Sequence, residues 1–124
     1  MTVAILKQGD HLIASIQSAL RDHEVLELRD ELAHRVGSLR ARGIVIDVTA
    51  LDVIDSFVAR SLRTIALTAK LRGAETVIVG IQPEVAIAMV QFRLNLEPLH
   101  TALDLEEGLE LLDKLNGQFR DADG

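Results

Sequence analysis

The stretch from Gly43 to Arg60, GIVIDVTALDVIDSFVAR, passes from a buried strand to a helix through one short acidic loop. Its first residues are β-branched and run up to Asp47, a pattern typical of a strand covered on both faces in a parallel sheet. A helical period begins near Ser56, which we predict to be the N-cap, because serine is among the preferred residues there. Ser56 is thereby expected at the carboxyl end of a strand and at the positive end of a helix, a place suited to carrying an anion.

An N-terminal hairpin and an amphipathic helix are predicted before this unit. Two short apolar runs, residues 3–6 and 12–16, flank Gly9-Asp10, a dipeptide typical of a tight turn. From about residue 23 to residue 42, apolar side chains recur at steps of three and four, which indicates a helix with one buried face. That face is predicted to consist of Val25, Leu28, Leu32, Val36 and Leu39.

After the central unit the chain again alternates between strands and helices. A second buried strand is predicted over residues 76–81, and Pro83 is well placed as the first residue of a short helix that runs to about Arg93. That helix is apolar nearly all round, so we predict that it is buried or contacts another protein. Residues 99–102 are a candidate edge strand, and Asp104 is a candidate cap for the last helix.

This order of elements predicts one α/β domain with a mixed sheet of four to five strands and about four helices. A chain of 124 residues has the size of one domain with one hydrophobic core. We place the domain in residues 1–116. Residues 117–124 continue no periodic pattern and are expected to form a flexible C-terminal tail.

Composition argues against several classes of function. The formal net charge is −6, which disfavours a nucleic-acid interface, and three phenylalanines are the only aromatic residues available for stacking on bases. There is no cysteine, so disulfides and thiolate metal sites are absent. Without an apolar run long enough for a signal peptide or a membrane span, we expect a cytoplasmic protein that does not enter the membrane.

Few residues suggest catalysis or metal binding. The four histidines are scattered, and only Glu31 and His34 have a spacing that some metal sites use. Neither a nucleophile elbow, a Walker motif nor a dinucleotide-binding motif is present, so no metal and no cofactor is expected. Asp47, Asp52 and Asp55 near Ser56 are open to two interpretations, as solvated turn residues or as carboxylates that bind a cation or exchange protons.

One face of the helix that begins near Ser56 has the character of a docking surface. At 100° per residue, Ser56, Arg60, Arg63 and Leu67 fall on one outward sector. Opposite them lies the predicted inward stripe, formed by Val58, Leu62, Ile65, Ala66 and Ala69. A hydroxyl, two guanidinium groups and an exposed leucine on one face suggest contact with another protein, although a single exposed leucine is common.

The central unit resembles the sulfate transporter and anti-sigma-factor antagonist (STAS) domain, in which a buried strand ends in Asp and an Asp-Ser pair opens the next helix. Here these are Asp47 and Asp55-Ser56. The segments DSFVAR at 55–60, GIQP at 80–83 and TALDLE at 101–106 are similar to the RsbS type, the small scaffold subunit of the bacterial stressosome. The resemblance covers about residues 3–116. Phe57 replaces the second serine of the commoner Asp-Ser-Ser-Gly form, which fits the stressosome subgroup.

The resemblance implies a non-enzymatic protein that holds a switch serine kinase of the RsbT type and releases it when phosphorylated on Ser56. It also implies co-assembly with RsbR-like paralogues, and we expect self-association as well. Asp55 and Asp47 would support the phosphoacceptor. The residues expected to contact partners are Asp52, Phe57, Arg60, Arg63 and Leu67.

The sequence also leaves a second function open. The loop that carries Asp47, Asp55 and Ser56 is also a candidate site for a nucleotide or another small ligand, since some domains that resemble this one bind nucleotides. Phosphorylation by a switch kinase would favour the scaffold over this alternative.

Overall fold

The structure is a computed structural model that describes the backbone of residues 3–123 and the side chains of residues 3–117. Within that range, five strands and four helices alternate after an N-terminal hairpin, as the sequence predicts. In chain order they are β1 (Val3–Gln8), β2 (His11–Ile16), α1 (Asp22–Leu39), β3 (Gly43–Asp47), α2 (Ser56–Leu71), β4 (Glu75–Val79), α3 (Pro83–Gln91), β5 (His100–Ala102) and α4 (Leu105–Asp123).

The strands form one mixed sheet in the order β1-β2-β3-β4-β5. β1 and β2 pair antiparallel through the predicted turn, and each later strand is parallel to its neighbour. Parallel neighbours need a crossover connection, which α1, α2 and α3 provide in turn. The carboxyl ends of β3 and β4 therefore meet at one edge of the sheet, and both βα loops of that edge lie beside each other.

The β-branched strand residues divide between two cores because successive side chains point to opposite faces of a sheet. Ile44, Ile46 and Ile78 belong to the larger core, together with the buried faces of α1, α2 and α3. Val45 and Val77 belong to the smaller core on the other face, which α4 covers through Leu112 and its neighbours. Both faces of the central strands are thus buried, which explains their continuous apolar sequence.

The structure corrects the predicted inward position of Leu39, whose side chain is 42% exposed. α1 ends at Leu39, and Arg40 adopts a left-handed conformation with φ 52°, so the chain turns there. Ala41 fills the buried position beyond the turn and donates its N–H to the Val36 carbonyl at 3.2 Å.

The predicted end of β4 is also wrong. β4 stops at Val79, two residues early, because Gly80 takes φ 80° and donates its N–H to the Leu103 carbonyl at 3.1 Å. α4 extends over Leu105–Asp123, and the flexible tail expected for residues 117–124 stays a prediction. The side chains of residues 118–124 lie outside the described part.

The hydroxyl of Thr76 in β4 is buried and has no hydrogen-bond partner within the described residues. A buried hydroxyl that loses water without gaining a partner costs free energy, so its replacement by an isosteric methyl group is favourable. We predict that Thr76→Val raises the free energy of unfolding by about 1 kcal/mol in chemical denaturation. A decrease would show that the hydroxyl is bonded in solution.

Candidate functional site

The loop between β3 and α2 is held to the domain by two buried apolar residues. Leu51 and Ile54 are each 5% exposed and belong to the larger core. Val48 donates its N–H to the Val79 carbonyl at 3.0 Å, which fixes the start of the loop to the end of β4. Asp52 and Val53, between the two anchors, are therefore held outward, and Val53 is 70% exposed.

Asp47 organises the first turn of this loop. Its Oδ1 accepts hydrogen bonds from the Thr49 backbone N–H at 2.9 Å and from the Thr49 hydroxyl at 2.6 Å. The Thr49 carbonyl in turn accepts from Nε2 of Gln82, the residue that precedes α3, at 2.7 Å. The Thr49 side chain packs so closely against Gly80 that any Cβ there would overlap it. Asp47 thus shapes the loop from its start, and none of its described hydrogen bonds reaches Ser56.

Asp55, and not Ser56, is the N-cap of α2. Asp55 has extended backbone angles, and its Oδ1 accepts a hydrogen bond from the Val58 N–H at 2.8 Å. Asp and Ser are about equally favoured as caps, and they stand side by side here, so preference alone does not choose between them. Ser56 becomes the first residue of the helix. Its side chain is exposed, and its hydroxyl makes no hydrogen bond within the described part of the chain.

Because Asp55 is the N-cap of α2, its replacement should change the stability of the domain. Asp55→Ala is expected to lower the free energy of unfolding by about 1 kcal/mol, because the Val58 N–H loses its acceptor. Asp55→Asn serves as the matched variant, since asparagine caps as well as aspartate does and should cost only a few tenths of that amount. Urea unfolding of both variants measures the difference. Equal losses would mean that the Asp55 side chain does not act as the cap.

The surroundings of the Ser56 hydroxyl suit an added negative charge. It lies at the first turn of a 16-residue helix, where the free N–H groups and the aligned peptide dipoles give a positive potential. Arg60, one turn further, donates from Nε to the Ser56 carbonyl at 3.4 Å, so its guanidinium group lies alongside the start of the helix. A phosphate on Ser56 would have both partners within one helical turn.

An apolar groove of about 380 Å³ opens beside Ser56. It lies between the loop and α3, and its charged residues are Asp52 and Asp55, with no lysine or arginine among those lining it. The apolar lining consists of Val53, Ile54, Val85, Ala88, Phe92 and Leu94. The groove was not predicted from the sequence. The sequence feature that pointed toward it was the nearly uniform apolar character of α3. Phe92, at the end of this helix, is 75% exposed.

The predicted outward face of α2 is partly confirmed. Arg60 is exposed and Leu67 is 51% exposed, but Arg63 is half-buried and donates from Nε to the Glu97 carbonyl at 2.9 Å. Phe57 is half-buried beside Ser56. Arg63 therefore helps to hold the loop before β5, and the apolar groove beside Ser56 adds apolar surface next to this face.

No group of three His, Asp or Glu side chains in residues 3–117 is placed to hold a metal ion. No helix within the described range is long and apolar enough to cross a bilayer. An exposed hydroxyl, a capping carboxylate, a nearby arginine and an apolar groove thus lie together at the amino-terminal end of α2.

The fold and this site define the class: a single α/β domain in which a buried strand ends in Asp and an Asp-Ser pair opens the following helix. A model of the STAS domain family matches residues 2–108, and the chain belongs to that family.

Three relatives illustrate where in the family the similarity lies. A serine-to-glutamate variant of RsbS from Moorella thermoacetica is 38% identical, with a TM-score of 0.79 over 94% of this chain and 98% of that one. A chain from the stressosome, described as a signal integration and transduction hub, is 36% identical, with a TM-score of 0.71 over 91% of this chain and 98% of that one. The RsbT co-antagonist RsbRA of Bacillus subtilis is 28% identical over 83 residues, 67% of this chain, which spans only 30% of that relative's length.

Proposed function

We propose that this protein is a stressosome scaffold whose hold on a switch serine kinase is controlled by phosphorylation of Ser56. The observation that supports this most is the position of Ser56. It is exposed and first in α2, its hydroxyl makes no hydrogen bond to the described residues, and Asp55 is the N-cap in its place. A serine that was needed as the cap would have its oxygen engaged with the backbone. Similarity to RsbS over nearly the whole of both chains supports the same function.

The kinase, of the RsbT type, would bind across the start of α2. Asp52, Phe57 and Arg60 surround Ser56 there, and the groove ending at Phe92 offers apolar surface beside them. Exposed apolar surface within a polar rim is typical of protein contact sites. Asp47 would act at a distance, by holding the loop through Thr49.

Phosphorylation would weaken this contact without unfolding the domain. The phosphate adds about −1.5 to −2 charges, which the helix start and Arg60 accommodate in the free protein. In the complex the same charge would lie beside Asp52 and Asp55 in a site that loses water, where like charges and desolvation are both unfavourable. The kinase would therefore be released while the scaffold stays folded.

Assembly with RsbR-like paralogues would use the outer side of α3. Ile87 and Val90 are 59% and 78% exposed on a helix that buries Val85 and Met89 against the core. Apolar side chains at these levels of exposure mark a surface that another protein covers. RsbRA, which shares sequence with this chain, is a co-antagonist of RsbT by name and supports a paralogue as that partner.

The test is incubation with ATP, magnesium and an RsbT-type kinase, followed by intact-mass measurement and peptide mapping. We expect one phosphoryl group, on Ser56, and none on Ser56→Ala. Thr64, exposed two turns along α2, is the internal control for unspecific transfer. Asp55→Asn keeps the cap but removes the carboxylate that would support the phosphoacceptor, so we expect it to be phosphorylated more slowly. Phosphate mapped to any residue other than Ser56 would contradict the proposal.

The alternative, a nucleotide site formed by Asp47, Asp55 and Ser56, has less support. The phosphates of a nucleotide in the groove would face two carboxylates, and no basic residue lines it. Asp47 is turned to Thr49 and does not line the groove. A ligand-binding role would show as saturable nucleotide binding without kinase.

A further inference from the structure

The charges of this protein are separated between its helices. α2 contains three basic residues and no acidic one, a formal charge of +3, in a chain whose net charge is −6. α1 has five acidic residues and two arginines, α3 has one glutamate, and α4 has six acidic residues, one lysine and one arginine. Their formal charges are −3, −1 and −4, so α2 is the one helix that is positive.

The far half of α2 combines this positive charge with exposed leucines. Leu67 and Leu71, one turn apart, are 51% and 90% exposed, and Arg63 and Lys70 lie on the same side. We call these four residues the α2 stripe. Within the described residues neither Arg63 nor Lys70 is in an ion pair, although Arg63 Nε donates to the Glu97 carbonyl. Exposed leucines beside cations that form no ion pair with the described residues are suited to contact with an acidic protein surface. Such a surface would pair with the cations and bury the leucines.

The same chain carries a matching acidic surface on its opposite side. Glu106, Glu110 and Asp113 of α4 are exposed at steps of four and three, which places them along one face of the helix. We call them the α4 stripe. Neither glutamate is ion-paired within the described residues, and Asp113 Oδ1 lies 3.9 Å from His11 Nε2. Each stripe extends over about two helical turns, on the order of 10–12 Å, so the two match in length.

The sheet separates the two stripes. α2 packs with α1 over the larger core, and α4 covers the other face of β3 and β4. A contact between the α2 stripe of one copy and the α4 stripe of another is consequently heterologous: each copy keeps a free stripe of either sign. Such a contact repeats from copy to copy and builds larger assemblies, in contrast to a two-fold dimer, which closes on itself.

We propose that copies of this chain associate head to tail, with the α2 stripe of one copy on the α4 stripe of the next. The charges favour a second copy as the occupant, because copies with a net charge of −6 repel one another unless a positive element is placed against an acidic one. The inference deepens the assembly part of the proposed function and does not involve Ser56, which lies at the other end of α2.

A charge swap in the full-length protein tests it. Lys70→Glu and Glu110→Lys each place like charges in the contact, and both residues are exposed, so folding should be unaffected. Sedimentation equilibrium of either variant alone should show self-association weakened about tenfold or more. An equimolar mixture of the two variants restores opposite charges in both contacts and should recover association. Lys7→Glu, which makes the same change of charge on β1, is the matched control and should associate like the wild-type protein.

Ionic strength provides a second test of the proposal. Wild-type association should weaken when ionic strength is raised from about 0.05 to about 0.5 M, because the contact is between exposed charges. A wild-type protein that stays monomeric at low ionic strength, a Lys70→Glu variant that associates normally, or a mixture that fails to recover would each contradict it. Phosphorylation of Ser56 is measured separately and should be equal in Lys70→Glu and wild type, so failure here is distinguishable from failure of the proposed function.

Discussion

Ser56→Asp is expected to bind the switch kinase roughly a hundredfold more weakly than the wild-type protein, a difference of about 3 kcal/mol. Ser56→Ala is expected to bind as tightly as wild type and to keep the kinase bound when ATP is added. The aspartate brings a charge beside Asp52 and Asp55 in a surface that loses water on binding, whereas alanine adds no charge and cannot accept a phosphoryl group.

Calorimetric titration of the kinase against the three proteins measures these affinities. Circular dichroism is the folding control, and we expect no change, because an acidic residue in the first turn of a helix is favourable. Thr64→Asp is the matched variant, since it adds the same charge on an exposed position of α2 two turns away. It should bind within about threefold of wild type, because an exposed charge at that distance is largely screened. Equal weakening by Thr64→Asp would mean that overall charge, and not the position of Ser56, governs the contact.

Leu112→Ala is expected to lower the free energy of unfolding by about 3–5 kcal/mol in urea unfolding, the largest loss of stability among the substitutions proposed for this protein. Leu112 is fully buried and is the residue through which α4 reaches the smaller core of Val45, Val77 and its neighbours. Removing its side chain leaves a cavity between helix and sheet, because the Leu112 methyl groups fill the space over Gly43, where a Cβ would meet them at 2.8 and 2.9 Å.

The control for that experiment is Leu71→Ala, a leucine on the other side of the sheet that is 90% exposed. It should change the free energy of unfolding by less than about 0.5 kcal/mol. A loss at Leu112 no larger than the loss at Leu71 would mean that α4 is not packed on the sheet as described.

Much of the fold follows from local sequence. The continuous β-branched runs at β3 and β4 predict strands buried on both faces, and the two faces prove to be covered by α1 and α2 on one side and α4 on the other. Pro83 begins α3 as predicted, because its fixed φ and missing N–H suit the first position of a helix. These features depend on residues close in sequence, so their pattern is readable without knowledge of tertiary contacts.

The site was predicted less completely, for reasons that can be named. Asp55 and Ser56 are competing caps, and the choice of Asp55 depends on the backbone angles that the anchored loop imposes. The hydrogen bond from Arg63 to the Glu97 carbonyl joins residues that are 34 positions apart, so no local sequence pattern predicts it. In α3 nearly every residue is apolar, and which of them stay exposed is decided by the position of the helix on the sheet. The groove beside Ser56 follows from that position and was accordingly missed.

The most direct test of the proposed switch uses the wild-type protein before and after stoichiometric phosphorylation of Ser56. Each form is titrated with the same kinase by calorimetry, and circular dichroism is recorded for both. We predict that phosphorylation weakens binding roughly a hundredfold, about 3 kcal/mol, while the spectrum is unchanged. Equal affinity of the two folded forms would contradict the proposal, since Ser56 would then be an exposed helix residue without a role in holding the kinase.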